Sequence, residues 1–424
     1  MFSSAARAGL VSDSIEKAMA SHPTIHVKKA TAVAADQEAK VAKSDFYPVV
    51  NVSTSAGRVN VNDFTTRART TDGGSAQSWM AEGSFSLRQL LFDGDGTQNK
   101  LKAAEGRKDA ADYDIVDSIE TISMQAAQAH LNVMRTRELL GISQAHYKSA
   151  QNYRDNIEYK VSQGAVDEAE LFQAEDVLID MQAKMFDFET MMDAAEAEYN
   201  EVVGSFPDVD LSIDVSRLKN KLPKNVDIAL EQGVLSHPGL KSLAYQSKAY
   251  ENDIQAEKSE IVPRVDAELS YLEKDQDDDL GGELVNGQAL VRMSWNFSTG
   301  GAYFASVEKT RQKREAALGS QNERQREIER EIRTQFSQYV TSGKKLRLSL
   351  NKENTTEKMV QNFETQFEGG EYSLLQLLSA QNRLFEARVN RINGFYRYQL
   401  SKFSVLNSMG SLRLAMGIDS KTML

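Results

Sequence analysis

Apolar positions along this chain follow two different periods. Ile115, Ile119, Ile122, Ala126, Ala129, Val133, Thr136 and Leu140 step alternately by four and three. After a glycine at 164, Leu171, Ala174, Leu178, Met181, Met185, Phe188, Met192, Ala195, Tyr199 and Val202 continue the rhythm. A mean step of 3.5 residues holds one seam of a helix against a partner helix, so both stretches predict coiled-coil helices. Part of the pattern returns at Ile328, Ile332, Tyr339 and Leu346, then at Leu377, Ala380, Leu384 and Ala387. These stripes are packing seams, and their methionines fill gaps instead of marking a cofactor site.

Four shorter segments alternate with period two. In Val50–Gly57, Val50, Val52, Thr54 and Ala56 oppose Asn51, Ser53, Ser55 and Gly57. In Ser78–Leu91, Trp79, Ala81, Gly83, Phe85 and Leu87 oppose Glu82, Ser84, Ser86 and Arg88. In Arg264–Tyr271, Val265, Ala267, Leu269 and Tyr271 oppose Arg264, Asp266, Glu268 and Ser270. In Gln288–Phe297, Ala289, Val291, Met293, Trp295 and Phe297 oppose Leu290, Arg292, Ser294 and Asn296. Each segment predicts a strand with one apolar and one polar face.

The two periods recur in the same order, because the chain is internally duplicated. Ser21-His22-Pro23 returns as Ser236-His237-Pro238, and Phe46 to Val50 corresponds to Ile261 to Val265. Phe92 and Gly96 match Phe297 and Gly301; Gly164 matches Gly370, and Gly204 matches Gly410. The expected repeats are residues 1–212 and 213–424. Each has a helix (about Ser12 to Lys43; about Asn225 to Glu260) ended by a proline, then a β-hairpin (about 48–92; about 263–297). A long helix follows, near Asp95–Val161 and Gly301–Phe367, with a glycine tip near 164 or 370. A second helix returns to Gly204 or Gly417. About 65 helical residues extend about 100 Å, more than a globular domain needs.

Composition at first points elsewhere. The 424 residues, with 41% hydrophobic and 26% charged side chains, suit two or three soluble domains. No run of 18 apolar residues is present, which excludes a transmembrane helix. The absence of cysteine excludes disulfides, thiolate metal sites and a cysteine nucleophile. Only six prolines and 25 glycines punctuate the chain, so its elements are few and long. The net charge of −11 argues against nucleic acid as a partner. It is lopsided: between Asp155 and Glu201 stand fourteen acids and two bases. That run is a solvated helix face, or a surface that meets cations or a basic partner. Met1–Ala8 lacks the charged start and apolar stretch of a signal peptide, which fits a cytosolic chain or numbering that begins near a mature end.

The strands reopen the membrane question. Period two over about ten residues suits transmembrane β-strands around a wet lumen; the alternative is a half-buried sheet packed on helices. The apolar helix seams are already committed to one another, which favours the first. Trp79 and Trp295 fall near strand ends, where aromatic girdles sit. Phe85, Leu87, Val265, Leu269, Val291 and Met293 would join them against lipid. Four strands cannot close a barrel, since the smallest spanning barrels need about eight, so copies must assemble.

At this point the chain resembles the TolC family of bacterial outer-membrane efflux and secretion channels. The resemblance covers nearly the whole sequence. It rests on the duplication, on Ala18-x-x-x-x-Pro23, on Phe46-Tyr47-Pro48 before a strand and on Leu91-Phe92-Asp93-Gly94 after one. It rests also on the tips Gly164-Ala165-Val166-Asp167-Glu168-Ala169-Glu170-Leu171 and Gly370-Glu371-Tyr372-Ser373-Leu374-Leu375 with Gln376 to Gln381. The details are most similar to members that serve type I secretion. The family implies a mainly α protomer with a β-barrel part, a homotrimer, a twelve-stranded barrel in outer-membrane lipid and a helical tunnel through the periplasm. It implies that Gly164, Ala165, Val166, Gly369, Gly370, Glu371 and Tyr372 dock a periplasmic membrane-fusion adaptor and an inner-membrane ABC transporter or other pump. Rings of aspartate that narrow the entrance in familiar members match Gln376 and Ser379 here, so the usual acids are missing. The first-repeat equivalent of Gln376 is Glu170, which with Asp167 and Glu168 would supply a negative field at the entrance.

Other motifs carry less. His22 and His26 are four apart, but His22 precedes Pro23 and should lie outside the helix. Asp275-x-Asp277-x-Asp279 starts like a calcium loop, but its glycine position is Leu280 and its twelfth is Asn286. Asp93-Gly94-Asp95-Gly96 lacks the ending of a phosphate loop and reads as a strand-to-helix turn. The mixed charges of Lys309–Arg333 read as a solvated face. No catalytic grouping, metal site or cofactor site emerges, and no nucleotide motif supplies energy. The expectation is a passive duct exporting large repeat-rich proteins, with drug or small-molecule efflux on the same fold, or a soluble coiled-coil scaffold, as alternatives.

Overall fold

A computed structural model of the chain describes residues 9–62, 64–69, 76–213, 218, 221–276, 283–297, 299–368 and 374–418. A two-residue strand β1 (Gly9–Leu10) leads into α1 (Val11–Ser21) and α2 (Pro23–Ser44). Then come β2 (Val49–Val61), a short α3 (Phe64–Arg69), β3 (Ala76–Phe92), α4 (Gly96–Ser162) and α5 (Glu168–Val203). After β4 (Leu211–Ser212), which pairs in parallel with β1, the order repeats: α6 (Val226–Ser236), α7 (Pro238–Ser259), β5 (Arg264–Gln276), β6 (Glu283–Ser294), α8 (Ala302–Glu368) and α9 (Leu374–Ser408). A single turn, α10 (Leu412–Ala415), follows. α1 and α6 have 11 residues each, α2 and α7 have 22, and α4 and α8 have 67.

Several element boundaries differ from the sequence expectation. The helix expected over about 12–43 is broken at His22, and that expected over about 225–260 at His237; both residues have extended backbone. The reason is the proline that follows each, which disfavours helical torsions in its predecessor and lacks the N–H to continue the ladder. The strand expected to end at Tyr271 runs to Gln276, and its partner begins at Glu283 and stops at Ser294, leaving Trp295 and Phe297 beyond it. Beyond Leu272 the side chains become polar on both faces, which ends the alternation but not the backbone pairing. The last long helix ends at Ser408, before the left-handed Gly410 (φ +63°), and does not reach Gly417.

The chain divides into two compact units, residues 1–30, 112–241 and 322–424, and residues 31–111 and 242–321. Each draws on both halves of the sequence. In the first unit the predicted seam residues are buried: Ile115, Ile119, Ile122, Ala126, Ala129 and Val133 of α4, and Ala174, Met181, Ala195 and Tyr199 of α5, with Ala174 packed on Ile157 of α4. A second core joins Ala229 and Leu240 to Ile328 and Ile332 of α8 and Val405 and Met409 of α9. In the second unit the four long strands form one antiparallel sheet in the order β2-β3-β5-β6. The central β3–β5 pairing joins the hairpins of the two halves, with a bulge between Leu90 and Phe92.

Candidate functional site

The sheet register sorts side chains by chemistry. Val50, Leu87, Leu269 and Ala289 stand opposite one another across the four strands, and Val52, Phe85 and Tyr271 form the next row on that face. Val265 pairs with Met293, and Ala267 with Val291. The predicted apolar residues therefore share one face, and Leu269, Val291 and Met293 are exposed on it. From Val265 to Tyr271 this band spans about 20 Å at 3.4 Å per residue, close to the apolar band of an outer-membrane barrel. Trp295 lies past one end, where its indole N–H donates to the Ile261 carbonyl (2.9 Å). Trp79 lies toward the other end, with the Arg58 guanidinium 5.8 Å from its ring centre.

The opposite face is polar and paired. Asn51, Ser86, Ser270 and Gln288 make one row. Ser53 and Ser84 are hydrogen-bonded at 2.7 Å. Glu268 binds both Arg88 (3.2 Å) and Arg292 (2.7 Å), so β5 carries a charge pair to each of its two neighbours. This face suits water. The sheet nevertheless remains open, since β2 and β6 each have one edge without a strand partner among the described residues.

The first helical tip is a tight glycine turn. Gly164 has φ +68°, a left-handed torsion that glycine adopts without a Cβ clash. Its N–H donates to Val161 and that of Ala165 to Lys160, closing the end of α4. Asp167 caps α5 by accepting from the Ala169 N–H at 3.0 Å. Glu168 and Glu170 fall in the first turn, where acids suit the positive end of a helix. Val166 is half-buried, and the rest of the turn is exposed except for the partly covered Glu170. Gly369, Gly370, Glu371 and Tyr372 lie outside the described residues. Gln376 and Ser379 are exposed on the first turns of α9, while Leu377, Leu378 and Ala380 between and beside them are buried.

Above the tips the structure brings together side chains that no sequence pattern singled out. Gln381 of α9 donates to the Tyr153 hydroxyl (2.7 Å) and to Glu364 of α8 (3.1 Å), and Tyr153 of α4 donates to Glu364 (3.3 Å). Farther along, Arg135 donates to Asn393 (3.0 Å) and Arg391 to Glu138 (3.0 Å). His146 stacks on Phe385 with ring centres 4.5 Å apart. Ser14 bridges His130 and Tyr199, at 2.8 Å to each. Burial pushes His130, His146 and His237 down to about 4, so these rings are neutral in the folded chain. Burial also raises Glu120 to about 7, although the backbone N–H groups of Arg413 and Leu412 donate to its carboxylate.

The remaining sequence candidates have local roles. His22 lies between helices, as expected, and its Nδ1 accepts from the Thr24 N–H (3.2 Å). Asp275 pairs within the sheet, opposite Glu283; Asp277 and Asp279 lie outside the described residues, as do residues 1–8. Asp93 caps α4, accepting from the Thr97 N–H and hydroxyl at 2.7 Å each, with Gly94 and Asp95 both at φ +65°. This is a strand-to-helix turn.

The profile of the outer membrane efflux protein family matches residues 14–205 and again residues 229–411. The chain is 21% identical over 418 residues to the outer membrane efflux protein BepC of Brucella suis biovar 1, covering 96% of this chain and 87% of that one. Among solved structures, CusC superposes with a TM-score of 0.81 at 15% identity, covering 95% of this chain and 92% of that one. The Campylobacter jejuni CmeC outer membrane channel superposes with a TM-score of 0.81 at 15% identity, covering 95% and 86%. With both halves matched and nearly the whole length aligned, the chain belongs to the outer membrane efflux protein family, the TolC-like channels of the bacterial outer membrane.

Proposed function

We propose that three copies of this chain form the outer-membrane duct of a type I, ABC-transporter-driven secretion system that exports large repeat-rich proteins. The observation that carries the assembly is the open four-stranded sheet, apolar on one face and charge-paired on the other. Three copies supply twelve strands and leave no free edge, with Trp79, Phe85, Leu87, Val265, Leu269, Val291, Met293 and Trp295 against lipid. The hairpins α4–α5 and α8–α9 line the periplasmic tunnel. Their tips, Gly164 to Val166 and Gly369 to Tyr372, receive the adaptor. Neutral Gln376 and Ser379 leave the entrance without its usual acids, and Asp167, Glu168 and Glu170 supply the negative field instead. Energy comes from the inner-membrane partner.

A second reading, drug or small-molecule efflux, is favoured by the name of BepC, an outer membrane efflux protein aligned over most of this chain. Gene deletion followed by two assays separates the readings. Loss of one large secreted protein with unchanged drug tolerance supports secretion. Drug sensitivity with an unchanged secreted profile overturns it in favour of efflux. For the entrance, single-channel recording of Glu170→Gln should show weaker cation preference and weaker divalent block; unchanged conductance properties would refute that role.

A further inference from the structure

The charges on the polar face of the sheet are unevenly presented to water. Three arginines and two acids stand together at the strand ends that lead to the helices: Arg88 on β3, Arg264, Asp266 and Glu268 on β5, and Arg292 on β6. From Arg264 to Glu268 the group spans about 14 Å at 3.4 Å per residue. Both carboxylates are covered, the Asp266 and Glu268 side chains being 8% and 17% exposed. The arginines are not: Arg264, Arg292 and Arg88 are 52%, 56% and 61% exposed. Each arginine meets its carboxylate at Nε, Arg264 on Asp266 (3.0 Å) and the other two on Glu268. Nε carries one of the five N–H groups of a guanidinium. Among the described residues, none of the four on the terminal nitrogens donates a hydrogen bond in any of the three.

The rest of this face is different. Beyond the group it carries neutral side chains such as Asn51, Ser53, Ser86, Ser270 and Gln288, until Glu82 and Lys274 stand opposite each other. Neutral rows of that kind suffice for a face that only has to be wet. The covered carboxylates act as anchors: they fix three guanidinium groups from behind and leave the outer edges to water. Such a fork matches a carboxylate bidentately. An arginine already held at Nε loses less freedom when its outer edge binds.

We infer that Arg88, Arg264 and Arg292 form an anion-binding girdle inside the barrel, which takes the carboxylates of an acidic passenger chain. The inference rests on the export duct proposed above and names a surface that its cargo meets. Three arginines and two acids per chain become nine and six in three copies, with the arginines outward on the wet face. Rings of arginine favour anions in a pore, and low-dielectric walls focus their field. The sign is opposite to that of Asp167, Glu168 and Glu170, assigned above to the entrance. Arginines on three strands, repeated in every copy, offer many weak sites to one chain, which favours a polyanion over a single small anion.

Full-length protein is recorded in planar bilayers at about 0.1 M salt, where screening is modest. Poly-L-glutamate is added on the side opposite to that of protein addition. It should block the current, and the block should weaken at about 1 M salt. Poly-L-lysine should block less from that side, and free glutamate at equal carboxylate concentration should block about tenfold less. Equal block by poly-L-lysine overturns the girdle, and equal block by free glutamate overturns the passenger assignment in favour of small anions. These comparisons use the unaltered chain. Replacing the arginines together (Arg88→Gln, Arg264→Gln, Arg292→Gln) should weaken the poly-L-glutamate block about tenfold or more while the pore still conducts. That variant leaves two carboxylates unpaired, so a second one adds Asp266→Asn and Glu268→Gln. Undiminished block in a conducting variant overturns the inference. A conducting unaltered channel that ignores poly-L-glutamate overturns the girdle and leaves the duct standing, whereas no conductance at all overturns the duct and the girdle with it.

Discussion

The two hairpins of this protein are built to one plan and live in different surroundings. α8–α9 has its return helix buried against both α4 and α5, and the turn after it is capped by Glu120. α4–α5 has a return helix whose outer seam is open. The difference shows that equal secondary structure does not imply equal stability within one chain. A repeat is stable on its own account only where a neighbour covers its second face.

The comparison can be broken by truncating equivalent residues. Ile392→Ala removes a fully buried side chain and should cost about 2–5 kcal/mol of stability. Phe186→Ala, its counterpart, should change the stability of the isolated chain by less than about 0.5 kcal/mol. Denaturant unfolding of the single chain checks both, and equal losses would contradict the asymmetry.

The paired glycines come next. An alanine Cβ at Gly410 would lie 2.5 Å from Pro238 Cδ and 3.3 Å from His237 Cα, at a left-handed torsion. Strain and collision together should cost about 2–4 kcal/mol. At Gly204 the nearest atom is the Ser21 hydroxyl, 2.9 Å away on a side chain that rotates, and about 1–2 kcal/mol is expected. Thermal unfolding of the two variants side by side tests this order.

Acid sharpens the picture. His130, His146 and His237, held near 4, bind fewer protons folded than unfolded, so stability should fall as pH drops from about 6.5 toward 4. His146→Phe should remove part of that fall. Glu120, raised to about 7, acts with the opposite sign: its contribution is full below about 4.5 and is lost as pH rises through 7. Glu120→Gln should flatten that decline while keeping an acceptor for Leu412. Melting temperatures across buffers spanning this range read both effects.

A small effect is expected at Arg391, which reaches Glu138 (3.0 Å) and Glu353 (2.8 Å) from a partly exposed position. Arg391→Ala should cost about 0.5–1 kcal/mol, and less at high salt.

Much of the fold was legible because periodicity is local. The 3.5-residue seam of α4 from Ile115 to Val133 and the alternation of Ala267, Leu269 and Tyr271 need no tertiary information. Gly164 and the strand-to-helix turn at Asp93-Gly94-Asp95-Gly96 were legible for the same reason: turn chemistry lies within a few residues. The links from Tyr153 to Glu364 and Gln381 were not, since they join residues more than two hundred positions apart and none belongs to a repeating motif. Boundaries failed where backbone and side chain disagree. Gln276 is still paired although its neighbourhood has lost its alternation, and β6 stops at Ser294 although the apolar alternation runs on to Phe297.

By itself the sequence determined which residues face a common side, that the plan occurs twice and that no run of 18 apolar residues is present. Those properties follow from side-chain period and from repetition, which are written along the chain. Only the tertiary structure decided which face of each helix is already covered and which is left open. It buried Leu378, Phe385 and Ile392 and left Phe172, Ile179 and Phe186 exposed, although both sets have the same spacing. The physical reason is that a heptad states the need for a partner without naming it, and only the path of the chain determines whether that partner is itself.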